Sequence, residues 1–249
     1  MKIKINNRYL ERYSRQIILK DVGILGQKKI SNSKILIVGI GGLGSPAAEL
    51  LARSGVGCLG IMDYDKVNLS NIHRQTLYTG QDVGKFKVLV AKKRLKLINK
   101  ESKVIIHKIK ANDKSIKKII NFYDIIIDGS DNFKTKLLLN KYSLKYKKKL
   151  IVGAISKFDG HLFSFDFKDK KTPCLKCFYQ TIPSDENLNC ETEGILGTTA
   201  SIVGVFQANE ALKLILGINN KLKSNILIFD FLNLNFRKVN FKKKNNCLC

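Results

Sequence analysis

The chain has 249 residues, 44% of them hydrophobic, enough for one large α/β domain with a full core. No apolar run approaches the roughly 18–20 residues that span a bilayer, and the N-terminal MKIKINNRYLERYSRQ has no apolar h-region, so the expectation is a cytoplasmic protein without a membrane segment. The net charge of +25 sets 38 lysines and only seven arginines against 20 acidic residues, and the lysines are spread along the chain without the interleaved aromatics that stack bases, which speaks against nucleic acid and for solvated surface lysines.

Residues 8–20 put Tyr9, Leu10, Tyr13, Ile17 and Ile18 at roughly helical spacing, on a segment that also holds Arg12 and Arg15. Residues 23–30 read as a turn and a short helix. Residues 35–38 form an apolar, β-branched run suited to a buried strand, which leads into Gly39-Ile40-Gly41-Gly42-Leu43-Gly44. A helix over 45–54 follows, with Pro46 tolerated in its first turn. A second strand over 58–62 then ends at Asp63. This order of strand, glycine turn, helix, strand and acid predicts a nucleotide site. Glycines admit a tight turn and close approach to phosphate, the helix N-terminus offers free N–H groups, and the carboxylate can hold ribose hydroxyls.

The polar segment 63–75 is too patterned for filler, and an amphipathic helix is expected over 84–99, beginning near Lys85 and Lys87. A strand at 104–107, a helix at 114–121 and a strand at 124–128 come next. That strand ends in Gly129-Ser130-Asp131-Asn132, and a helix at 133–146 and a buried strand at 150–152 follow. The alternation predicts an α/β fold: a Rossmann-like, doubly wound, mostly parallel sheet with ligands at the carboxyl ends of its strands. Gly39 to Gly44, Asp63 and Asp131 all stand at such ends. After Gly153 the pattern changes to alternation over 160–167, as in an antiparallel strand with one buried face. Cys174 and Cys177, a polar loop over 179–197 with Cys190, an apolar helix over 198–216 and strands near 225–229 and 234–239 complete the body. No repeat or linker divides the chain. It reads as a single domain over 1–249, with a nucleotide-binding half to residue 153 and an antiparallel half over 154–249.

In a cytoplasmic protein paired cysteines read as metal or redox sites. Cys174-x-x-Cys177 and Cys247-x-Cys249 supply four thiolates, enough for tetrahedral zinc; free thiols and redox work are the alternatives. Cys58 lies in an apolar strand and reads as core. Cys190, in a polar loop, reads as a covalent acceptor or sulfur carrier, or else as an incidental surface thiol. The charges suit nucleoside triphosphate chemistry better than hydride transfer. Arg74 and Lys87 would neutralise phosphates unless they are plain surface cations, and Asp131 would hold magnesium. His73, His107 and His161 are scattered, form no triad, and read as structural.

Taken together, RYSRQI, GIGGLGS, SGVG…DYDKVNLSNIHRQ, DVGKFK, GSDN, CLKC and ETEGILG…VGVFQANEALK resemble the ThiF/MoeB/HesA family of adenylyltransferases over essentially the whole chain. These are bacterial relatives of ubiquitin-activating enzymes. The resemblance implies a homodimer that uses ATP and magnesium to adenylate the C-terminal Gly-Gly carboxylate of a ubiquitin-fold sulfur carrier, releasing pyrophosphate. It implies that Gly39, Gly41, Gly42 and Gly44 meet the phosphates and Asp63 the ribose. Ser70, Asn71, Ile72, His73, Arg74 and Lys87 would contact the nucleotide, and Asp131 would bind magnesium beside Asn132. Arg15 would reach the triphosphate of the partner subunit, and Cys190 would match a loop cysteine that bonds covalently to the carrier in some members. Cys174, Cys177, Cys247 and Cys249 would match the family's zinc ligands. Residues 154–249 would be the carrier-binding half.

One departure stands out: the family's second cysteine pair is C-x-x-C, whereas Cys247-x-Cys249 is one residue shorter. No rhodanese segment follows, so the expectation is a separate sulfur donor such as a cysteine desulfurase. The shared motifs leave both thiamine and molybdopterin carriers open; abundant Lys, Ile and Asn read as drift in an AT-rich, reduced genome, which would lose molybdenum enzymes more readily than thiamine, so the lean is to thiamine. The rival readings are a nicotinamide-dependent oxidoreductase, a non-catalytic adaptor, and the tRNA-modifying dehydratase branch of the same family.

Overall fold

The computed structural model describes residues 6–179, 194–218, 221–245 and 247. Its eight strands form one sheet in the order β3-β2-β1-β4-β5-β6-β7-β8. The first five strands are β1 (Lys34–Val38), β2 (Cys58–Met62), β3 (Lys103–His107), β4 (Ile125–Asp128) and β5 (Lys149–Ser156), and they pair in parallel. Antiparallel pairing carries the sheet on through β6 (Asp159–Asp166), β7 (Asn225–Asp230) and β8 (Asn235–Asn240). The α/β reading, parallel first and antiparallel in the C-terminal half, is what the chain adopts.

The parallel strands read as unbroken apolar runs because helices cover both of their faces. Along β1, Ile35 and Ile37 point into one core cluster and Leu36 and Val38 into the other, the alternation a strand imposes. The first cluster packs against α2 (Gly23–Asn32), α3 (Gly44–Arg53), α4 (Lys87–Ile98) and α8 (Gly197–Leu216). The second packs against α5 (Asp113–Ile119), α6 (Phe133–Lys145) and α7 (Leu175–Phe178). At roughly 1.5–3 kcal/mol for each large side chain fully buried, this two-sided burial is the main stabilising term. Helix α1 (Asn7–Ile17) buries only Tyr13, whose hydroxyl accepts from Asn99 Nδ2 at 3.0 Å.

Several boundaries differ from the expected ones, each for a local reason. Gly84 has φ +84° and Phe86 is extended, so 84–86 is a turn and α4 starts at Lys87. Lys85 consequently precedes the helix and pairs with Asp82 at 3.3 Å. Strand β5 runs to Ser156 instead of stopping at 152 because β6 pairs with it as far as Ser156 and Asp159. The short helix α7 was not expected; Asn140 Oδ1 accepts from Leu175 N at 2.9 Å and secures its first turn. Helix α8 ends at Gly217, whose φ of +75° gives the left-handed cap that glycine favours. No helix among the described residues is long and apolar enough to cross a membrane.

Candidate active site

The strand order reverses between β1 and β4, the place where a doubly wound sheet opens a crevice at its carboxyl ends. Gly39 leaves β1 with φ +86°, and a Cβ there would meet Gly129 O, after β4, at 2.7 Å. Gly129 N donates to Val38 O at 2.8 Å, so the two strand ends touch. Gly44 opens α3, and a Cβ on it would lie 1.9 Å from Gly39 O. The glycine turn is therefore a requirement of backbone on backbone. Gly44→Ala is expected to cost about 3 kcal/mol or more, at the top of the range for overpacking. Urea unfolding checks this, and an unchanged midpoint would contradict the account. No side chain caps the start of α3; Ser45 N donates to Gly41 O at 2.9 Å and Ala47 N to Leu43 O at 3.4 Å, and Pro46 has no N–H to satisfy.

Asp63 holds this turn from the end of β2. Its Oδ2 accepts from Ile40 N and its Oδ1 from Asp65 N, both at 2.9 Å. Burial raises the Asp63 pKa above the usual carboxylate range, opposed first by the charge of Lys87 and then by these amides. Lys87 is itself buried, with Nζ 3.6 Å from Asp65 Oδ2. Arg74 is half-buried; its Nη1 donates to Ser70 O at 2.8 Å and lies 2.7 Å from His73 Nε2. Asn71 closes the preceding 3-10 turn by accepting from Asn68 N, and Ile72 packs on the core. Ser70, Asn71, Ile72 and His73 thus shape the segment that presents Arg74.

The turn after β4 carries Asp131 and Asn132. Asn132 caps α6, accepting from Thr135 N at 2.8 Å, and its Nδ2 donates to Asp131 Oδ1 at 3.2 Å. Asp131 is exposed, and the carboxylate lone pairs that Asn132 does not use can meet a hard cation. Beneath it lies a buried pair that the sequence reading missed. Lys136 Nζ donates to Asp128 Oδ2 at 3.2 Å, to Ser130 O at 2.7 Å and to Gly153 O at 2.7 Å. The signal was present: Lys136 falls at helical spacing between Phe133 and Asn140, both on the buried face of α6.

A single cleft of about 1110 Å³ gathers Gly39, Gly41, Gly42, Asp63, Arg74, Lys87, Asp131 and Asn132. Tyr64, Gln75, Lys110, Lys134 and Lys141 line it too, beyond the residues that the sequence singles out, as does His161, for which the sequence suggests only a structural place. Burial lowers the His161 pKa and favours its neutral ring. Gly44 sits beneath the turn, not on the cleft wall, and Ser70, Asn71, Ile72 and His73 also stand behind the lining. Arg15 is on the exposed side of α1, outside the cleft. Cys190 and Cys249 fall outside the described residues.

Cys174 (before α7), Cys177 and Cys247 form a second constellation. Cys174 Sγ lies 3.6 Å from Cys247 Sγ and 3.9 Å from Cys177 Sγ, and all three sulfurs lie within 4.8 Å of one another. Thiolates about 2.3 Å from a tetrahedral zinc are about 3.8 Å apart, so the donors fit that ion in kind and in spacing. Phe163, Phe178 and Phe241 pack together in the adjoining core, with Phe178 5.2 Å from Phe163 and 5.4 Å from Phe241.

The ThiF family model matches residues 13–249. The chain is 40% identical over 239 residues to a probable molybdopterin-synthase adenylyltransferase of Gracilaria tenuistipitata var. liui, covering 95% of this chain and 66% of that protein. It is 37% identical over 242 residues to a sulfur carrier protein adenylyltransferase of Thermus thermophilus, covering 96% and 89%. The chain spans about half the length of several other curated relatives that it matches. Among solved structures, Escherichia coli MccB with ATP superposes with a TM-score of 0.83 at 24% identity, covering 98% of this chain and 74% of that one, which shows the shared fold.

Proposed function

The chain belongs to the ThiF family, and from that premise we propose that it adenylates the C-terminal Gly-Gly carboxylate of a ubiquitin-fold sulfur-carrier protein, with ATP as co-substrate and pyrophosphate as product. The observation that carries the reading is the meeting of the glycine turn, Arg74, Lys87 and Asp131 in one cleft at the reversal point of the sheet. The names of the two relatives above, sulfur carrier protein adenylyltransferase and molybdopterin-synthase adenylyltransferase, agree with it. The Gracilaria relative's name favours a molybdopterin carrier over the thiamine carrier toward which composition leans.

The chemistry asks for charge neutralisation and alignment, because the incoming carboxylate is already a nucleophile. One of its oxygens attacks the α-phosphorus of ATP, and the bond from that phosphorus to the bridging oxygen breaks as pyrophosphate leaves. Amides of the glycine turn at Gly41, Gly42 and Leu43, which line the cleft, receive phosphate oxygens. Arg74 and Lys87 offset the charge that moves onto the leaving group, and the remaining lone pairs of Asp63 accept from the ribose hydroxyls. Asp131, with Asn132 beside it, is the residue that would hold magnesium, which supplies charge neutralisation on the phosphates when bound.

The finer parts of the reading follow the family. Two chains pair so that Arg15 of each reaches the other's triphosphate. Residues 1–153 serve ATP and 154–249 the carrier. Cys174, Cys177, Cys247 and Cys249 would hold zinc, which would supply a structural cross-link between these segments. In the later sulfur step the Cys190 thiol takes the carrier's acyl group from the acyl-adenylate as a thioester, the acyl–phosphate bond breaking as AMP leaves; a cytoplasmic cysteine desulfurase supplies the sulfur, and nucleic acid has no part. The test is ATP–pyrophosphate exchange with purified Gly-Gly-terminated carriers added one at a time. Exchange with one carrier supports the reading and names the pathway. Binding of ATP with no exchange for any carrier overturns it in favour of the tRNA-modifying branch or an adaptor.

A further inference from the structure

We propose that Lys136 is a positioning residue for adenylation, holding the Asp131 turn in register with the carrier-facing wall of the cleft. The inference rests on the reading of Asp131 as the magnesium ligand. All three protons of the Lys136 ammonium are engaged, by Asp128 Oδ2, Ser130 O and Gly153 O. Asp128 is fully buried and Lys136 is 4% exposed. Asp128 Oδ1 in turn accepts from Ser130 N at 2.9 Å and from Ser130 Oγ at 2.5 Å.

A buried ion pair is a poor device for stability alone, since apolar residues of similar volume often do as well or better. Its use here lies in what its acceptors belong to. Ser130 O is on the turn that presents Asp131. Gly153 O is on β5 just before Ala154, Ile155 and Ser156, which line the same cleft. One cation therefore spaces the wall that would hold ATP and the wall that would receive the carrier's C-terminus. Gln207 braces the same point, donating from Nε2 to Asp128 O at 2.7 Å and packing against Gly153. An apolar side chain at 136 leaves Ser130 O and Gly153 O without that shared donor, so the turn is released from β5.

The experiment compares Lys136→Met, Lys136→Arg and Asp131→Asn with wild type in carrier-dependent ATP–pyrophosphate exchange, titrating magnesium and ATP separately. Lys136→Met is expected to lower the maximal rate about tenfold or more, in line with the cost of misplacing reacting groups. It should also raise the magnesium concentration for half-maximal rate while the KM for ATP changes little. Lys136→Arg, which keeps a cation with ample donors, should restore the magnesium response. If Lys136→Met leaves Asp128 too poorly paired to fold, Asp128→Asn/Lys136→Met removes both charges, and the same shift is expected of it. A lowered melting temperature with wild-type rate and magnesium response in the folded variant would overturn the proposal. Asp131→Asn separates the two layers. A magnesium shift there and none at position 136 sinks only the positioning role, whereas none in Asp131→Asn removes the reading beneath it.

Discussion

Asp131→Ala is expected to reduce ATP–pyrophosphate exchange by about a hundredfold or more, the loss typical of removing a group that stabilises developing charge. Its melting temperature should stay within about 2 °C of wild type, because exposed substitutions away from packing rarely exceed about 0.5 kcal/mol. Both expectations come from one geometry. Asp131 stands exposed at the cleft on a turn that other groups hold: Asn132 caps α6, and Lys136 and Asp128 fix the backbone behind. The only side-chain donor described on its carboxylate is Asn132 Nδ2 at 3.2 Å. Wild-type exchange in a folded Asp131→Ala protein would remove the carboxylate from the reaction.

The second large effect concerns stability. Cys174→Ser is expected to release bound zinc and lower stability by about 3–5 kcal/mol, a share of the roughly 10–16 kcal/mol that structural zinc contributes in small domains. For a chain of this length the melting temperature should then fall by about 6–20 °C. Cys174 is 1% exposed and sits between Cys177 and Cys247, so its loss breaks the cluster at its middle. A chelator should reproduce the shift in wild type, and both treatments should leave ATP binding in place, since no cysteine of the cluster lines the cleft. Metal analysis decides it: unchanged zinc content in Cys174→Ser would refute the site.

The parts of the fold that were legible are those where one physical signal dominates. β1, β2 and β4 announce themselves because burial on both faces demands unbroken apolar runs, and the glycine turn because backbone must touch backbone at Gly39 and Gly44. Helix starts were less legible: a positive φ at Gly84, which composition does not reveal, delays α4. Within the candidate site, the glycines, Asp63, Arg74, Lys87 and Asp131 could be read from type and order, and the fold brings all of them but Gly44 to the lining of one cleft. Lys136 escaped because lysine is almost never buried, so its place on the inner face of α6 was outweighed by its charge. The role of Ile155 and Ser156 as cleft wall depends on β5 and β6 pairing to their last residues, a long-range fact that no local spacing encodes.

The central claim is that the reaction occurs at the carrier's terminal carboxylate. Its most direct test is intact mass spectrometry of a Gly-Gly-terminated carrier after acid quench from a mixture with this protein, ATP and magnesium, alongside the same carrier lacking its last glycine. The account predicts that the full-length carrier gains one adenylyl group, located at the terminal glycine, and that the shortened carrier gains none. An unmodified carrier, or an adenylyl group located anywhere but the terminal carboxylate, would contradict it.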